Sequence, residues 1–575
     1  MGQGISKESK AAAPSKSDSP PHTAGRAPGR RDEFSGYAHG WSRTEVSRPV
    51  AVWISILFCA GLLVVPLADA LLGSWSEPLS KARKGISRVM NSLGGGLSLD
   101  AAVRANRAAL GAIETFETSL EDSSALGASI RPPVLDSLLR LGGAGSEEAY
   151  VGRDGWLFYR PDIDALVLPS ADPDDAALGI VNFAAELAAR GIRLVVVPVP
   201  GKASIHPEML APEGTVFSAP PVSPALASLA DRVAAAWQSK HVAEASAAPL
   251  IIDPAAMLWG RKKEQGAQFL RTDSHWTPSA MQAVARMVAN AIAPALPGKR
   301  PDKLESTDHQ AAGVGDTALM HSLPASSPLL EKQMVQLEKV TVSDGMPWRA
   351  DRDSPVLVLG DSYTNIYSSE DLGWGESSGF AEHLSLALGY RVDKLARNDA
   401  GARAAREMLG AEAARHAEWL EGKKVVVWVM AAREFVRGDW KPVPLPGPDA
   451  SAAKEFFVVP RGESLEVEAT VRAMGPLPEP GDTPYADYLT ALHLSDMHEA
   501  STGREMAGDA LAYIYTMRGR KPVRLPDLVE GARVKLRLSN YAENADTLDP
   551  LNRGELDDVE VMMQDPNYAE WTELP

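Results

Sequence analysis

The middle of the chain is predicted to fold as an α/β domain, a parallel sheet with helices on both faces. Three runs, at 193–199, 355–359 and 425–430, are apolar and largely β-branched, and Ala-rich helical patterns separate them. Strands that are apolar on both faces are typical of a parallel sheet covered by helices. An apolar stretch precedes this domain, and alternating apolar residues follow it. The predicted order is therefore a transmembrane helix, the α/β domain and a small β-sandwich-like domain.

The amino-terminal part is predicted to be a tail followed by an anchor. Residues 1–49 are rich in Ser, Pro, Gly, Lys and Arg, which predicts a disordered cytoplasmic tail. The apolar run 50–68 has the length of a membrane-spanning helix, since about twenty helical residues cross the hydrocarbon core. We therefore expect a transmembrane anchor at 50–72. A cleaved signal peptide is the alternative, because residues 68–70 (Ala-Asp-Ala) resemble a cleavage site, but the long tail favours the anchor.

The overall composition limits the class of protein. The 575 residues are too many for one ordinary domain, and a hydrophobic content of 45% is ample for a core. The formal net charge of −17 argues against nucleic acid as a partner, because phosphate binding needs a basic surface. A polyanionic polymer would also be repelled at long range, although a local basic groove can hold one. The single cysteine, Cys59, excludes a disulfide framework within the chain.

Two short motifs offer the residue types of serine acyl chemistry. Ser362, in a Gly-Asp-Ser motif, follows the buried strand 355–359, so a tight turn lifts it out of the core as in a nucleophile elbow. Asp273 and His275 lie two residues apart, so in an extended segment they share a face. We therefore predict Ser362 as nucleophile, His275 as general base and Asp273 as the carboxylate that orients the imidazole.

Each motif also has a simpler interpretation. Gly-Asp-Ser is frequent by chance and is typical of an ordinary turn. Thr277 and Pro278 are typical of a helix start, with Thr277 as N-cap, and that helix would anchor the catalytic loop rather than compete with it. A third interpretation is that His275 binds zinc, but the sequence offers no clustered cysteines and no second histidine beside it. We therefore predict neither a metal nor a cofactor.

Further candidates follow from the position of the predicted site. In a parallel sheet, ligands bind beyond the carboxyl ends of the strands, and Ser362 follows such an end. Lys202 also follows a strand and is predicted either to hold a sugar carboxylate or hydroxyl, or to be a solvated surface lysine. Asn398 and Gly401 are candidates for an oxyanion hole together with the backbone N–H of Ser362, and a plain turn is the competing interpretation.

Linker signals divide the rest of the chain. A Pro-rich linker at 441–450 separates the catalytic region, predicted at 146–440, from a β-rich region at 451–575. Helical spacing predicts that 73–145 is a helical connecting segment. The last region is rich in aromatic residues, so it is predicted either to bind carbohydrate by stacking or merely to cap the catalytic sheet. These aromatic residues are Tyr485, Tyr488, Tyr513, Tyr515, Tyr541 and Trp571.

The order of these motifs resembles that of the alginate O-acetylation proteins of the AlgJ and AlgX type, which carry an SGNH-hydrolase-like domain. In that family Asp-x-His precedes the serine motif, as it does here, whereas ordinary SGNH esterases have the serine near the start. Three further stretches match, at 151–159, 195–202 and 425–434. AlgX-type proteins carry a carbohydrate-binding domain after the catalytic one and AlgJ-type proteins lack it, so this chain combines an AlgJ-like anchor with an AlgX-like tail.

The resemblance implies a function and a location. It implies an O-acetyltransferase in which Ser362 takes an acetyl group and passes it to a hydroxyl of an exopolysaccharide, alginate-like or other. It also implies an inner-membrane protein with a periplasmic catalytic part, an MBOAT-like membrane acyltransferase as acetyl donor, and Tyr363 and Arg433 as substrate contacts. A polysaccharide or cell-wall acetylesterase and a non-catalytic polysaccharide-binding scaffold are the alternatives, because no residue pattern separates transfer from hydrolysis.

Overall fold

The computed structural model describes residues 48–93, 123–142, 148–240, 248–298, 302–342, 345–445, 456–478 and 485–572, together with short stretches between 106 and 120. Within these ranges, positions 171, 322, 325, 524, 526, 527, 550 and 557 are not described. The chain divides into two compact units, Met1–Ala128 and Ser129–Pro575. The predicted cytoplasmic tail at 1–49 and the second half of the predicted linker at 441–450 lie almost entirely outside the described residues.

The first unit contains the helices α1 (Arg48–Leu71) and α2 (Ser76–Leu93). Helix α1 covers the apolar run 50–68, and α2 lies within the segment for which the sequence predicts helical connections. Among the residues described, no helix combines the length and the apolar character needed to cross a membrane. The transmembrane anchor stays a prediction.

Helices and strands alternate along the first two thirds of the second unit, and strands dominate its last third. The helices that follow α2 are, in chain order, α3 (Ala125–Gly142), α4 (Arg160–Val167), α5 (Pro173–Ala188), α6 (Lys202–Ile205), α7 (Pro224–Ala227), α8 (Leu229–Ser239), α9 (Ala255–Gln265), α10 (Pro278–Ile292), α11 (Asp316–Leu319), α12 (Ser362–Asn365), α13 (Phe380–Leu388), α14 (Ala402–Arg415), α15 (Glu434–Arg437), α16 (Ala545–Leu548) and α17 (Val559–Met562). The strands are β1 (Ala149–Val151), β2 (Leu157–Tyr159), β3 (Arg193–Val199), β4 (Leu250–Ile251), β5 (Leu304–Gly313), β6 (Gln333–Val342), β7 (Met346–Pro347), β8 (Val356–Gly360), β9 (Asp393–Ala396), β10 (Val425–Ala431), β11 (Ser464–Met474), β12 (Tyr488–Glu499), β13 (Ala510–Arg518), β14 (Lys521–Pro522), β15 (Arg533–Asn540), β16 (Asn552–Gly554) and β17 (Pro566–Trp571).

A five-stranded parallel sheet is the centre of the catalytic domain. Its strands lie in the order β4-β3-β10-β8-β9, and every neighbouring pair is parallel. Along β3 and β8 the side chains alternate between two layers of helices. Val195 and Val358 pack in the core with α10 and α13, whereas Val196 and Leu357 pack in the core with α5, α8 and α14. The prediction of a parallel sheet with helices on both faces is confirmed.

A second β element lies beside this sheet and was not predicted. Strands β5 and β6 form a long antiparallel hairpin, and β7 pairs with the end of β6. Leu337 and Val340 of β6 pack in the core with α10 and α13, but most of β5 is exposed and polar. A strand with so little buried surface gives no hydrophobic pattern that sequence analysis can detect.

The carboxyl-terminal region folds as a barrel and not as the predicted β-sandwich. Strands β13-β17-β15-β11-β12 are neighbours in that order, and β12 also pairs with β13, so the sheet closes on itself. Alternate side chains such as Val467, Ala469, Leu492 and Leu536 fill the interior. The sandwich prediction was wrong because a period of two shows only that each strand has one buried face. Whether the sheet closes depends on which strands pair, and the period does not encode that.

Three of the six aromatic residues that the sequence offered for sugar stacking are buried. Tyr485, Tyr513 and Tyr541 are at most 7% exposed, and the guanidinium of Arg518 lies over the Tyr515 ring at 3.8 Å. Tyr485, Tyr513 and Tyr541 are therefore not exposed for sugar stacking, and carbohydrate binding by this region stays a prediction.

Polar contacts join the barrel to the catalytic domain. Glu555, after β16, pairs with Arg397 of the catalytic domain, and the Tyr513 hydroxyl donates a hydrogen bond to the same carboxylate at 2.7 Å. Both Arg397 and Tyr513 are nearly buried, so this ion pair is screened little by solvent. The barrel thus packs firmly on the domain that contains Ser362.

Candidate active site

Ser362 lies where strand β8 ends and the one-turn helix α12 begins. Gly360 is required there, because a Cβ at this position would lie 2.0 Å from Thr364 Oγ1. One carboxylate oxygen of Asp361 caps α12, and the other accepts a hydrogen bond at 3.0 Å from the N–H of Ala431, the last residue of β10. The Gly-Asp-Ser motif therefore builds a specific turn that fixes Ser362 at the carboxyl edge of the sheet.

The structure brings Ser362, His275 and Asp273 into one hydrogen-bonded chain. His275 Nε2 lies 2.8 Å from Ser362 Oγ, and His275 Nδ1 lies 2.7 Å from Asp273 Oδ1. None of the three residues is more than 5% exposed. Thr277 caps helix α10 through its hydroxyl oxygen, so the start of that helix anchors the loop that carries the histidine.

The Asp273 carboxylate is held by donors on both oxygens. Oδ1 accepts from the His275 backbone N–H as well as facing the imidazole, and Oδ2 accepts from Trp374 Nε1 at 2.9 Å and from the Asp316 N–H at 3.0 Å. Burial raises the pKa of Asp273, but the hydrogen bond and charge of His275 outweigh it, so the pKa lies below its usual range. The carboxylate is therefore ionised and fixed in orientation.

Asp316 is a second buried carboxylate of the site, and sequence reasoning missed it. Its oxygens accept from the Ser274 N–H at 2.6 Å and from the Ser274 hydroxyl, and Oδ2 lies 3.4 Å from His275 Nδ1. The close approach depends on Gly315, because a Cβ there would lie 2.0 Å from the Thr272 carbonyl oxygen. A lone Gly-Asp pair at the start of a four-residue helix gives no signal of this role.

Burial and the two carboxylates shift the pKa of His275 in opposite directions. Burial lowers the pKa of the imidazole, but the hydrogen bonds and negative charges of Asp273 and Asp316 raise it above its usual value of 6.5. Together with Asp316, the histidine and Asp273 form a group of ligand-type atoms within 4.8 Å of one another. Because the carboxylate oxygens of this group already accept hydrogen bonds from protein donors, we assign the group to the serine chemistry and not to a metal.

Tyr363 is buried and packs against the ring of His275. Its ring centroid lies 4.7 Å from that of the imidazole, its hydroxyl donates to the Ser274 carbonyl at 3.2 Å, and the residue is 1% exposed. These contacts place the Tyr363 ring beside His275 and its hydroxyl on the loop that carries the histidine. A contact between Tyr363 and the substrate stays a prediction.

Lys202 is an internal support and not the predicted sugar contact. The residue is 1% exposed, and its ammonium donates to the carbonyl oxygens of Leu157 at 2.6 Å and Arg271 at 3.1 Å. Burial lowers the pKa of Lys202 to about 8 despite the negative charges of Asp273 and other carboxylates. The sequence shows that Lys202 follows a strand, but it does not show that β2 packs over the lysine. The prediction therefore placed Lys202 at an open site. Lys202 ties β2 to the loop that carries Asp273.

Arg433 and Gly401 are also occupied by internal contacts. Arg433 Nη1 donates to Asp162 Oδ1 at 3.0 Å, and the two side chains are 17% and 6% exposed. Arg433 is therefore a partner of Asp162, and its contact with a substrate stays a prediction. Gly401 lies against Glu434, since a Cβ there would be 2.6 Å from Glu434 Oε2, which also accepts from the Ala402 N–H. The glycine thus lets helix α14 begin at this carboxylate.

Asn398 is fully buried beside the turn that carries Ser362. In the β8–β9 register Gly360 faces Ala396, so the residues two positions further, Ser362 and Asn398, follow adjacent strand ends. Asn398 Oδ1 accepts from Asn365 Nδ2 at 3.2 Å, and its own Nδ2 is buried without a partner. Leaving a buried donor unpaired costs about 1–3 kcal/mol. The unpaired amide is therefore suited to a negatively charged oxygen of a bound substrate.

A cleft of about 1990 Å³ lies between the catalytic domain and the barrel. Asn365, one helical turn from Ser362, is part of its wall, and so are Arg397 and Glu555. Basic and acidic side chains both line it, among them Arg349, Lys394, Arg461, Glu370, Glu376 and Asp353. Asp273, His275 and Ser362 do not themselves line this cleft.

Comparison with known proteins finds a family model that matches the region containing this site. A family model described as an SGNH hydrolase-like domain, acetyltransferase AlgX, matches residues 149–432. A probable alginate O-acetylase AlgJ of Pseudomonas fluorescens is 27% identical over 263 residues, which are 44% of this chain and 60% of that protein. The chain therefore spans less than two thirds of the length of this curated relative.

Two solved structures are also similar. The O-acetyltransferase domain of Pseudomonas putida AlgJ is 24% identical with a TM-score of 0.37, over 51% of this chain and 93% of that domain. Pseudomonas aeruginosa AlgX is 16% identical with a TM-score of 0.36, over 68% of this chain and 90% of that protein. The family match spans the region that contains Asp273, His275 and Ser362. Residues 149–432 of this chain are thus similar to the AlgX-type family of SGNH hydrolase-like acetyltransferase domains.

Proposed function

We propose that this protein is an O-acetyltransferase that moves an acetyl group through Ser362 onto hydroxyls of an exopolysaccharide. The observation that carries the proposal is the chain of contacts from Asp273 Oδ1 through the His275 ring to Ser362 Oγ, with distances of 2.7 and 2.8 Å. A serine hydroxyl is a weak nucleophile until an adjacent base takes its proton, and this arrangement provides that base. The relatives named as alginate O-acetylases support acetyl transfer as the reaction class.

The proposed reaction has two steps that use the same groups. First His275 Nε2 takes the Ser362 proton while Oγ attacks the acetyl carbonyl of the donor, and His275 returns the proton to the leaving group. Then His275 takes the proton of a sugar hydroxyl, whose oxygen attacks the acetyl-serine, and Oγ leaves and regains a proton. The Asn398 amide and the Ser362 backbone N–H are proposed to stabilise the oxyanion in both steps.

The proposal includes the partners and the location that the sequence suggests. The polymer, alginate-like or other, would lie in the cleft beside Asn365. The acetyl group would come from an MBOAT-like membrane acyltransferase, and the chain would be anchored in the inner membrane through 50–68 with its catalytic part in the periplasm. The support for the anchor is the apolar character of this run in the sequence.

The purified full-length chain in detergent tests the proposed function. It is incubated with an activated acetyl ester and with candidate oligosaccharides, and the sugars are analysed by mass spectrometry. A gain of acetyl mass on a sugar that depends on the protein supports transfer. Release of acetate without any acetylated sugar would instead identify an acetylesterase, and sugar binding without turnover of the ester would identify a scaffold.

The pH dependence of acetylation follows from the surroundings of His275. The imidazole accepts a proton only when Nε2 is neutral, and the carboxylates of Asp273 and Asp316 raise its pKa above 6.5. The rate of Ser362 acetylation is therefore expected to rise with pH, with a midpoint above 6.5. Asp316→Asn removes one raising charge and is expected to move the midpoint down. A wild-type midpoint at or below 6.5, or no movement in the variant, would contradict the assignment of His275 as base.

Replacing Asn398 tests the oxyanion site. Asn398→Ala is expected to lower kcat by about 10²–10³-fold, as loss of one oxyanion donor does elsewhere, with little change in KM. Asn365→Ala is the matched control, because it removes the neighbouring amide that holds Asn398 but leaves the proposed donor in place. Steady-state kinetics with the activated ester measures both. Equal losses in the two variants would show that the pair acts through packing alone.

A further inference from the structure

The segment that follows the nucleophile carries three buried aromatic side chains that donate hydrogen bonds to the loop 273–276. The donors are the hydroxyls of Tyr363 and Tyr367, at 3.2 and 2.6 Å from carbonyl oxygens of the loop, and Nε1 of Trp374, at 2.9 Å from Asp273 Oδ2. Of these three, Trp374 alone donates to a side chain of the triad. One stretch of chain thus supplies the nucleophile and also contacts the carboxylate that orients its base.

The β5–β6 hairpin and the loop before α13 hold the Trp374 ring in place. The ring is fully buried and lies against Gly313, the last residue of β5, where a Cβ would be 2.9 Å from two of its carbon atoms. Gly375 directly after it has a φ of 111°, which a residue with a side chain rarely adopts. The Ser377 carbonyl oxygen accepts from the Val340 N–H of β6 at 2.8 Å, so the loop is joined to the hairpin.

We propose that Trp374 is a positioning residue whose indole N–H fixes the Asp273 carboxylate with Oδ1 facing His275, and that the β5–β6 hairpin serves the reaction by holding this indole. The inference rests on the proposed function and extends it, because it gives the hairpin a part in acetyl transfer. Trp374 acts through Asp273 and His275 and does not touch the reacting atoms.

Two carboxylates face Nδ1 of His275, so the orientation of Asp273 needs support from elsewhere. Asp273 Oδ1 lies 2.7 Å from Nδ1, and Asp316 Oδ2 lies 3.4 Å from the same atom. The two negative charges repel each other, and donors on Asp273 Oδ2 oppose that repulsion. In the part of the chain that the structure describes, those donors are Trp374 Nε1 and the Asp316 N–H. Hydrogen bonds to an ionised oxygen are strong, so losing the indole N–H removes much of this support.

Trp374→Phe removes the indole N–H and keeps an aromatic ring in the core. The full-length variant is mixed with an activated acetyl ester, and the rate at which acetyl-Ser362 forms is measured across pH by rapid quench and mass spectrometry. At the pH of maximal rate we expect a fall of about 10- to 100-fold, the range for a hydrogen bond to a charged group.

The pH profile separates positioning from packing. Burial lowers the pKa of His275 and the Asp273 carboxylate raises it, so a carboxylate that is no longer held in place raises it less. The midpoint of the profile is therefore expected to move to lower pH in Trp374→Phe. A lower rate with an unchanged midpoint would mean that the ring acts through packing alone, and would overturn the inference.

Trp440→Phe is the matched control. The Trp440 indole also donates at 2.9 Å, to the Glu434 carbonyl oxygen, and packs against the core on the opposite face of the sheet. It is expected to keep the wild-type rate and midpoint. Wild-type behaviour of Trp374→Phe would overturn the inference and leave the proposed function intact, whereas absence of acetyl-Ser362 in the wild type would overturn the proposed function.

A second substitution keeps the test decisive if Trp374→Phe does not fold. Incorporation of 3-benzothienylalanine at position 374 keeps the size and shape of the indole and replaces its N–H with sulfur. The same fall in rate and the same movement of the midpoint are expected. Wild-type values for this variant would contradict the inference, because the ring is kept and the donor is gone.

Discussion

Ser362→Ala is expected to abolish acetyl transfer, lowering the rate by about four to six orders of magnitude, the loss seen when a serine nucleophile is removed from a triad. The hydroxyl is the only part of the side chain that alanine lacks, and that hydroxyl lies 2.8 Å from His275 Nε2. The turn itself depends on Gly360 and Asp361, so the variant is expected to fold normally. Turnover of an activated acetyl ester and acetylation of the oligosaccharide acceptor measure the loss.

The control for this variant is Ser239→Ala. Ser239 is the last residue of helix α8, is exposed, and its hydroxyl donates to the Ala236 carbonyl oxygen at 2.8 Å. The control variant is expected to acetylate the acceptor at the wild-type rate. Full activity in Ser362→Ala would mean that another residue carries the acetyl group.

Asp273→Asn is expected to lower the rate of transfer by about 10⁴-fold, through the wrong tautomer of His275. In the structure both oxygens of Asp273 accept hydrogen bonds, from the His275 ring on one side and from Trp374 and the Asp316 N–H on the other. An amide has one acceptor oxygen, so its NH₂ group would face a donor whichever way it lies. The imidazole then loses either its orientation or the charge that stabilises its protonated form.

Comparison with Asp316→Asn shows which carboxylate orients the histidine. Asp316 Oδ2 lies 3.4 Å from His275 Nδ1, against 2.7 Å for Asp273 Oδ1, so its direct effect on the imidazole is weaker. We expect Asp316→Asn to cost about tenfold in rate, that is about 1.4 kcal/mol of barrier. A larger loss for Asp316→Asn than for Asp273→Asn would make Asp316 the orienting acid and would contradict the sequence-based assignment.

The features that could be predicted, the parallel sheet and the neighbourhood of Ser362 and His275, are each encoded by a short stretch of sequence. The sheet was predictable because β3, β8 and β10 are buried on both faces, and such strands are apolar at every position. The neighbourhood of Ser362 and His275 was predictable because both motifs are short and each lies next to a regular element that anchors it. Strand β8 ends at Gly360, and helix α10 begins after its N-cap Thr277.

The parts that were missed depend on contacts between distant segments. Asp316 reaches Ser274 across 42 residues, and Glu555 of the barrel region pairs with Arg397 across 158 residues. Lys202 and Arg433 have the residue types of surface groups, yet Leu157 and Asp162, far away in sequence, bury and satisfy them. Polar side chains with partners that lie far along the chain carry no periodic pattern, so their burial becomes visible only in the folded protein.

The central claim is that Ser362 carries the acetyl group, and peptide mass spectrometry of the acid-quenched enzyme tests it most directly. After brief exposure of the full-length protein to an activated acetyl ester, one acetyl group is expected on the peptide that contains Ser362. The adduct is expected to be absent in Ser362→Ala and to disappear when an acceptor sugar is added. Acetyl found at another residue, or rapid ester turnover with no adduct at Ser362 at any quench time, would contradict the account.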